Sequence, residues 1–212
     1  MSDSKEGVIK FNYELIKAEL PCELFSDLRE WRDRLFTNKL VGVYKSGKMK
    51  GVGYGNVSKR IEWNAKKGFI ITGSQTGSIA KLPCEKYCFI EEYSIEENFV
   101  RALGKIKPSS EALSHASIYE QNEKINAVVH SHSKEIFAAS EKLGLPYTSE
   151  KASYGSVALA KELAKAFEEF SLGKEGIIVT RGHREGVFSW AESIKKASEI
   201  IISTLEKAKE LL

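Results

Sequence analysis

Ala127-Val128-Val129-His130-Ser131-His132 is the stretch from which the rest of the chain can be read. An apolar run that enters two histidines spaced i, i+2 predicts a short strand carrying both imidazoles on one face at its end. Outward from it, Ser133 to Lys142 reads as a helix. Upstream, Pro108-Ser109-Ser110-Glu111 is a helix-start signal, with a serine able to cap and an acidic residue suited to the dipole, and the helix should run to about Gln121. Downstream, Ser156 to Phe170 reads as a helix. Ile177-Ile178-Val179 and Val187-Phe188-Ser189-Trp190 read as paired strands around Gly182 to Gly186, and a last helix begins near Ala191. Toward the N-terminus, Leu24, Leu28, Trp31, Leu35 and Phe36 recur at helical spacing, which predicts a helix over about 22–38. The period then changes. Val41-Gly42-Val43-Tyr44, Gly68-Phe69-Ile70-Ile71-Thr72, Tyr87-Cys88-Phe89-Ile90 and Asn98 to Leu103 read as strands between Gly- and Lys-rich turns. Strands that interleave with helices, several joined by hairpin-length links, imply a largely antiparallel sheet covered by helices.

The four histidines all lie between positions 115 and 183. An HxH pair also occurs on ordinary surface strands, but here an apolar run places it on an ordered one. His183, in Arg181-Gly182-His183-Arg184-Glu185-Gly186, sits at the tip of the expected hairpin. Three imidazoles, His130, His132 and His183, would leave one coordination position for water or substrate, the arrangement of catalytic rather than structural zinc. Glu111 is either a dipole-stabilising residue at a helix start or a general acid/base, since a partly desolvated carboxylate near a metal can trade protons with a substrate. His115 is four residues on, on the same helix face, and is expected to pack or support Glu111 rather than bind metal. Two glycine-rich segments, Gly53-Tyr54-Gly55-Asn56-Val57-Ser58 and Thr72-Gly73-Ser74-Gln75-Thr76-Gly77-Ser78, are either ordinary turns or cradles whose converging N–H groups hold a phosphate or carboxylate. Ser109 and Ser110 could add donors at a helix N-terminus. Lys59 and Arg60 could add charge, or be solvated.

The 212 residues fit a single domain, with residues 1–10 a polar, loosely held arm. An apolar share of 42% supports a sizeable core, and a net charge of +3 without blocks of like sign calls for neither nucleic acid nor an anionic membrane. No apolar run approaches the ~20 residues of a membrane span. The first residues lack the order of a signal peptide, so a cytoplasmic location is expected. Cys22, Cys84 and Cys88 are odd in number and too few for a disulfide framework. They read as reduced, partly buried thiols, and Cys84 and Cys88 lack the second pair that a zinc knuckle needs.

Pro108-Ser109-Ser110-Glu111, His115 and Ala127 to Ser133, with Gly55-Asn56-Val57-Ser58, Ile71-Thr72-Gly73 and Arg181-Gly182-His183 in matching order, resemble the class II aldolase/adducin superfamily over about residues 20–205. The resemblance implies a three-layer α/β/α sandwich with a central, mainly antiparallel sheet. It implies a homo-oligomer, commonly a tetramer, with active sites at subunit interfaces. It also implies one divalent metal, zinc before manganese, cobalt or iron, on His130, His132 and His183, with Glu111 as acid/base and phosphate contacts at Asn56, Ser58, Thr72, Gly73, Ser109 and Ser110. The implied activity is a lyase reaction on a small, anionic hydroxy-ketone, a sugar phosphate, by retro-aldol cleavage through a metal-stabilised enediolate. Dehydration of a ketose phosphate at the same site, and a non-catalytic adducin-like scaffold, are the alternatives. Tyr119, Tyr147 and Tyr154 are candidates for the second acid. The chain departs from the usual pattern at Tyr54-Gly55-Asn56, at Thr72 to Gly77 and at His183-Arg184-Glu185-Gly186, which alters the phosphate pocket and the metal rim.

Overall fold

The computed structural model describes residues 7–212. In chain order the strands are β1 (Asn12–Ile16), β2 (Gly42–Val43), β3 (Gly53–Tyr54), β4 (Asn56–Trp63), β5 (Lys66–Thr72), β6 (Tyr87–Ser94), β7 (Phe99–Gly104), β8 (Ala127–His132), β9 (Tyr147–Thr148), β10 (Gly176–Thr180) and β11 (Gly186–Ala191). The helices are α1 (Ser26–Thr37), α2 (Ala112–Gln121), α3 (Lys134–Ala139), α4 (Val157–Glu169) and α5 (Ile194–Glu210). A nine-stranded sheet runs in the order β1-β7-β6-β5-β4-β8-β11-β10-β9. Its pairings are antiparallel except at the two edges, β1 with β7 and β9 with β10.

Alternation along the strands divides the core into two layers. Phe69, Ile71, Val128, Ile178, Phe188 and Trp190 point toward α2 and α4. Their chain neighbours Ile70, Ala127, Val129, Val179, Val187 and Ala191 point to the opposite side, where α1, α3 and α5 pack. The three-layer α/β/α sandwich with a mainly antiparallel sheet follows from those two apolar faces. Each fully buried large apolar side chain contributes roughly 1.5–3 kcal/mol. Ser133, Ser156 and Ser193 cap α3, α4 and α5 by accepting from the N–H groups of Ile136, Leu159 and Lys196, each cap worth about 1 kcal/mol.

Several expectations shift. The helix over 22–38 starts as a 3-10 turn, Cys22–Phe25, before α1. The strand over 41–44 shrinks to two residues, and part of the first glycine-rich segment is not a turn but the start of β4, a central strand. Of the expected loose arm, residues 1–6 lie outside the described residues. Residues 7–10 are held, because the Gly7 carbonyl accepts from Gln75 Nε2 at 3.1 Å and Lys10 Nζ donates to the Tyr154 carbonyl at 2.7 Å. The cysteines are corrected outright: Cys22 and Cys84 form a disulfide across 62 residues, and only Cys88, buried in the sheet, is a free thiol among the described residues. The 3-10 turns at Cys22–Phe25 and Cys84–Lys86 place their first residues with Cα atoms 5.8 Å apart, within disulfide range.

Candidate active site

β8 carries His130 and His132 on the face shared with Val128, as the i, i+2 spacing requires. The antiparallel partner β11 aligns Phe188 with His130 and Gly186 with His132, so the β10–β11 connection brings His183 over the end of the pair. The three histidines are buried, and their donor atoms all lie within 4.8 Å of one another. Ring centroids are 5.0 Å apart for His130–His183 and 4.6 Å for His132–His183. Nitrogens about 2.1 Å from a shared tetrahedral ion stand roughly 3.4 Å apart, so a small side-chain adjustment suffices for common ligation.

The surroundings suit that task. His130 Nδ1 lies 3.2 Å from the Val187 carbonyl, and its ring stacks on Phe188 with centroids 4.3 Å apart. His132 Nδ1 lies 2.7 Å from the Tyr44 hydroxyl. Such contacts on one ring nitrogen orient the imidazole and leave the other available. Burial holds the His130 pKa well below its ordinary value, and His183, His132 and His115 alongside push it the same way. His130 is therefore neutral, the form that binds a cation.

Glu111 is 2% exposed and sits at the entry to α2. It does not cap the helix with its side chain. Oε1 accepts from the Gly155 N–H at 2.9 Å, Oε2 accepts from the Ser114 hydroxyl at 2.5 Å, and His183 Nδ1 is 3.6 Å from Oε1. Gly155 has φ +57°, and a Cβ there would stand 2.7 Å from the Ser110 carbonyl, so only glycine lets this turn come close enough to hold the carboxylate. Lys10 stacks over the Tyr154 ring at 3.6 Å, on the same side of the site.

A cleft opens onto His130, His183 and Glu111. Asn56, Gly73, Ser109 and Ser110 line it, together with Tyr54 and Tyr154. Asn56 faces His130 across the β4–β8 pairing, and its buried Oδ1 has no hydrogen-bond partner among the described residues. Ser58 and Thr72 are placed elsewhere. The Ser58 hydroxyl is spent inside the core on His115 Nδ1 at 2.6 Å and on the Tyr119 hydroxyl at 2.8 Å, and Thr72 Oγ1 accepts from the Val57 N–H at 3.3 Å. Neither residue is among those that line the cleft. Lys59 pairs with Asp27 and Arg60 stacks on Tyr119, so neither adds charge to the site. His115 packs, as expected, against Phe188.

Of the three candidate tyrosines, Tyr119 is in the core and Tyr147 is exposed beneath Arg181, whereas Tyr154 lines the cleft with its ring 5.5 Å from His183. Sequence reasoning missed Tyr44, whose only signal was an aromatic at the end of an expected strand. It also missed Arg32, a charged residue inside an amphipathic helix.

The family model described as Class II Aldolase and Adducin N-terminal domain matches residues 43–212, and the chain belongs to that family. Among solved structures it is similar to the L-fuculose-1-phosphate aldolase of Thermus thermophilus, with 22% identity over 90% of this chain and 93% of that one and a TM-score of 0.64. It is also similar to a sugar-phosphate aldolase of Thermotoga maritima (16% identity, 89% and 93% covered, TM-score 0.64). A third is the N-terminal class II aldolase domain of a conserved protein of Thermoplasma acidophilum (17%, 92% and 96%, TM-score 0.60). At these identities the likeness speaks for the fold. No curated protein matches the chain.

Proposed function

We propose that the chain is a metal-dependent lyase that cleaves a small hydroxy-ketone phosphate by a retro-aldol reaction, with His130, His132 and His183 as the metal ligands and Glu111 as the acid/base. The observation that carries this reading is the placement of the desolvated Glu111 carboxylate beside three converging imidazoles at the floor of a polar cleft. Three imidazole nitrogens would suit a divalent cation, zinc first. Such a cation, held by His130, His132 and His183, would supply Lewis acidity toward the substrate.

The chain's own groups do the rest. When the C–C bond breaks, its electron pair moves onto the carbon beside the carbonyl, and that carbon must then be protonated. Glu111, fixed on both oxygens by Gly155 and Ser114, is oriented to deliver that proton and to take it back in the reverse direction. Of the candidates Tyr119, Tyr147 and Tyr154, it is Tyr154 that lines the cleft, and it is assigned to take the proton of the substrate hydroxyl that becomes the aldehyde carbonyl. Asn56, Ser109, Ser110 and the backbone around Gly73 and Gly77 form the seat of the anionic tail, so remote binding positions the reacting end. Assembly into a homo-oligomer, a tetramer as the family resemblance implies, is part of this reading.

The test is carbon-bound hydrogen exchange in D2O, followed by NMR, on hydroxy-ketone phosphates from dihydroxyacetone phosphate to the ketohexose phosphates, with zinc-loaded protein. Wild type should exchange at least one of them. Glu111→Gln should keep its zinc and lose about 10²–10⁴-fold in rate. Equal exchange by Glu111→Gln, or none by wild type across the series, contradicts the reading. Aldehyde release identifies cleavage, whereas a diketone product without aldehyde assigns the site to dehydration.

A further inference from the structure

Among the described residues lining the cleft there is neither lysine nor arginine, although the proposed substrate carries an anionic tail. We infer that Arg32, buried behind the glycine loop, supplies the positive charge of the anion seat through the loop's peptide groups. This rests on the proposed reading that the cleft binds such a tail.

Arg32 lies on α1 and is fully buried. Its guanidinium donates to the carbonyl oxygens of Thr76 at 3.1 Å, Ala80 at 2.9 Å and Ile79. Guanidinium stays charged even where burial lowers its pKa, as it does here, and a buried charge is costly unless its environment answers it. The answer comes mainly from loop carbonyls. Asp33, 3.5 Å away and 37% exposed, offsets the charge only in part. The charge therefore stands behind residues 76–80 as a fixed feature of the fold.

The peptide bonds of the described chain are trans, and in a trans peptide the C=O and N–H point in opposite directions. With the Thr76 carbonyl turned back to Arg32, the Gly77 N–H of the same peptide group faces away from it, and Gly77 lines the cleft. A cation at the carbonyl end polarises the peptide and makes its N–H a stronger donor to an anion. The loop is closely seated: a Cβ on Gly77 would collide with the Gly42 carbonyl and stand 2.9 Å from the Tyr54 nitrogen. Its far end is tied to the 3-10 turn that precedes α1 by the Cys22–Cys84 disulfide. Arg32 and the turn leading into its helix thus hold the loop at two places. Charge reaches the ligand while the long side chain stays out of the cleft.

A purely structural arginine, there only to satisfy carbonyls, makes a different forecast. Binding of inorganic phosphate to the zinc-loaded protein, by calorimetry, separates the two across Arg32→Lys, Arg32→Gln and Arg32→Met. Arg32→Gln keeps donors without charge, and Arg32→Lys keeps charge with poorer geometry. Zinc content and thermal melting check the fold of each. The inference expects Arg32→Gln and Arg32→Met to lose about tenfold or more in phosphate affinity, with Arg32→Lys recovering most of it. If the neutral variants do not fold, wild type against Arg32→Lys decides, and a loss of about tenfold or more in folded Arg32→Lys overturns the inference. It is also overturned if folded neutral variants bind phosphate as wild type does, or if Lys and Gln lose affinity equally. Wild type that binds no phosphate removes the anion seat itself, and with it this part of the proposed function.

Discussion

His115 shows how much one buried side chain can reveal about the site above it. It is fully buried, it is hydrogen-bonded through Nδ1 to Ser58, and its edge meets the same Phe188 ring on which His130 stacks. Burial pushes its pKa down to about 3 from an ordinary 6.5. Between those values the unfolded chain takes up a proton that the folded protein refuses. Stability is therefore complete above about pH 6.5 and falls as the pH drops toward 3, by up to about 1.4 kcal/mol per pH unit for each such group. His130, also depressed by burial, acts in the same direction. In metal-free protein the urea midpoint should decline between about pH 7 and pH 5, and His115→Asn should make that decline shallower. A midpoint that ignores pH, or an unchanged slope in the variant, contradicts this account.

At the scale of elements, what was legible was what is periodic or capped. β8, β10 and β11 announce themselves by short apolar runs, and α3, α4 and α5 by serines that do cap them. The i, i+2 histidines could be placed on one face because a strand has no other choice. β4 was harder. Its inward face carries Asn56 and Ser58, polar residues there because they meet the cleft and His115, and its Lys59 and Arg60 find partners in Asp27 and Tyr119. A strand whose buried face is polar hides from any hydrophobic pattern. β1 was missed because its parallel pairing with β7 joins segments more than eighty positions apart. Ser58 and Thr72 looked like anion contacts by motif position, yet their hydroxyls are consumed by internal hydrogen bonds that only the folded packing creates. Arg32 gave no signal, since the carbonyls it serves lie 44 to 48 residues away.

At the scale of the molecule, a family fold carries local departures that bear on use. No helix among the described residues is long and apolar enough to cross a membrane. The Cys22–Cys84 disulfide stands against the expectation of reduced thiols, and reducing compartments seldom keep such a bond. Closing a loop of 62 residues should stabilise the fold by about 4 kcal/mol in the chain-entropy account. Protein unfolded without reductant should titrate one thiol, Cys88, and a reductant should lower the melting temperature. Three titratable thiols before reduction would contradict the pairing. Above all of this stands the claim that imidazoles from β8 and from the β10–β11 connection share one cation. The direct measurement is metal content by elemental mass spectrometry after zinc loading and dialysis, on wild type and His132→Ala. The account predicts close to one zinc per chain in wild type and a sharp loss in a folded His132→Ala. Full occupancy in that variant, or a wild type that takes up no zinc, manganese, cobalt or iron, would contradict it.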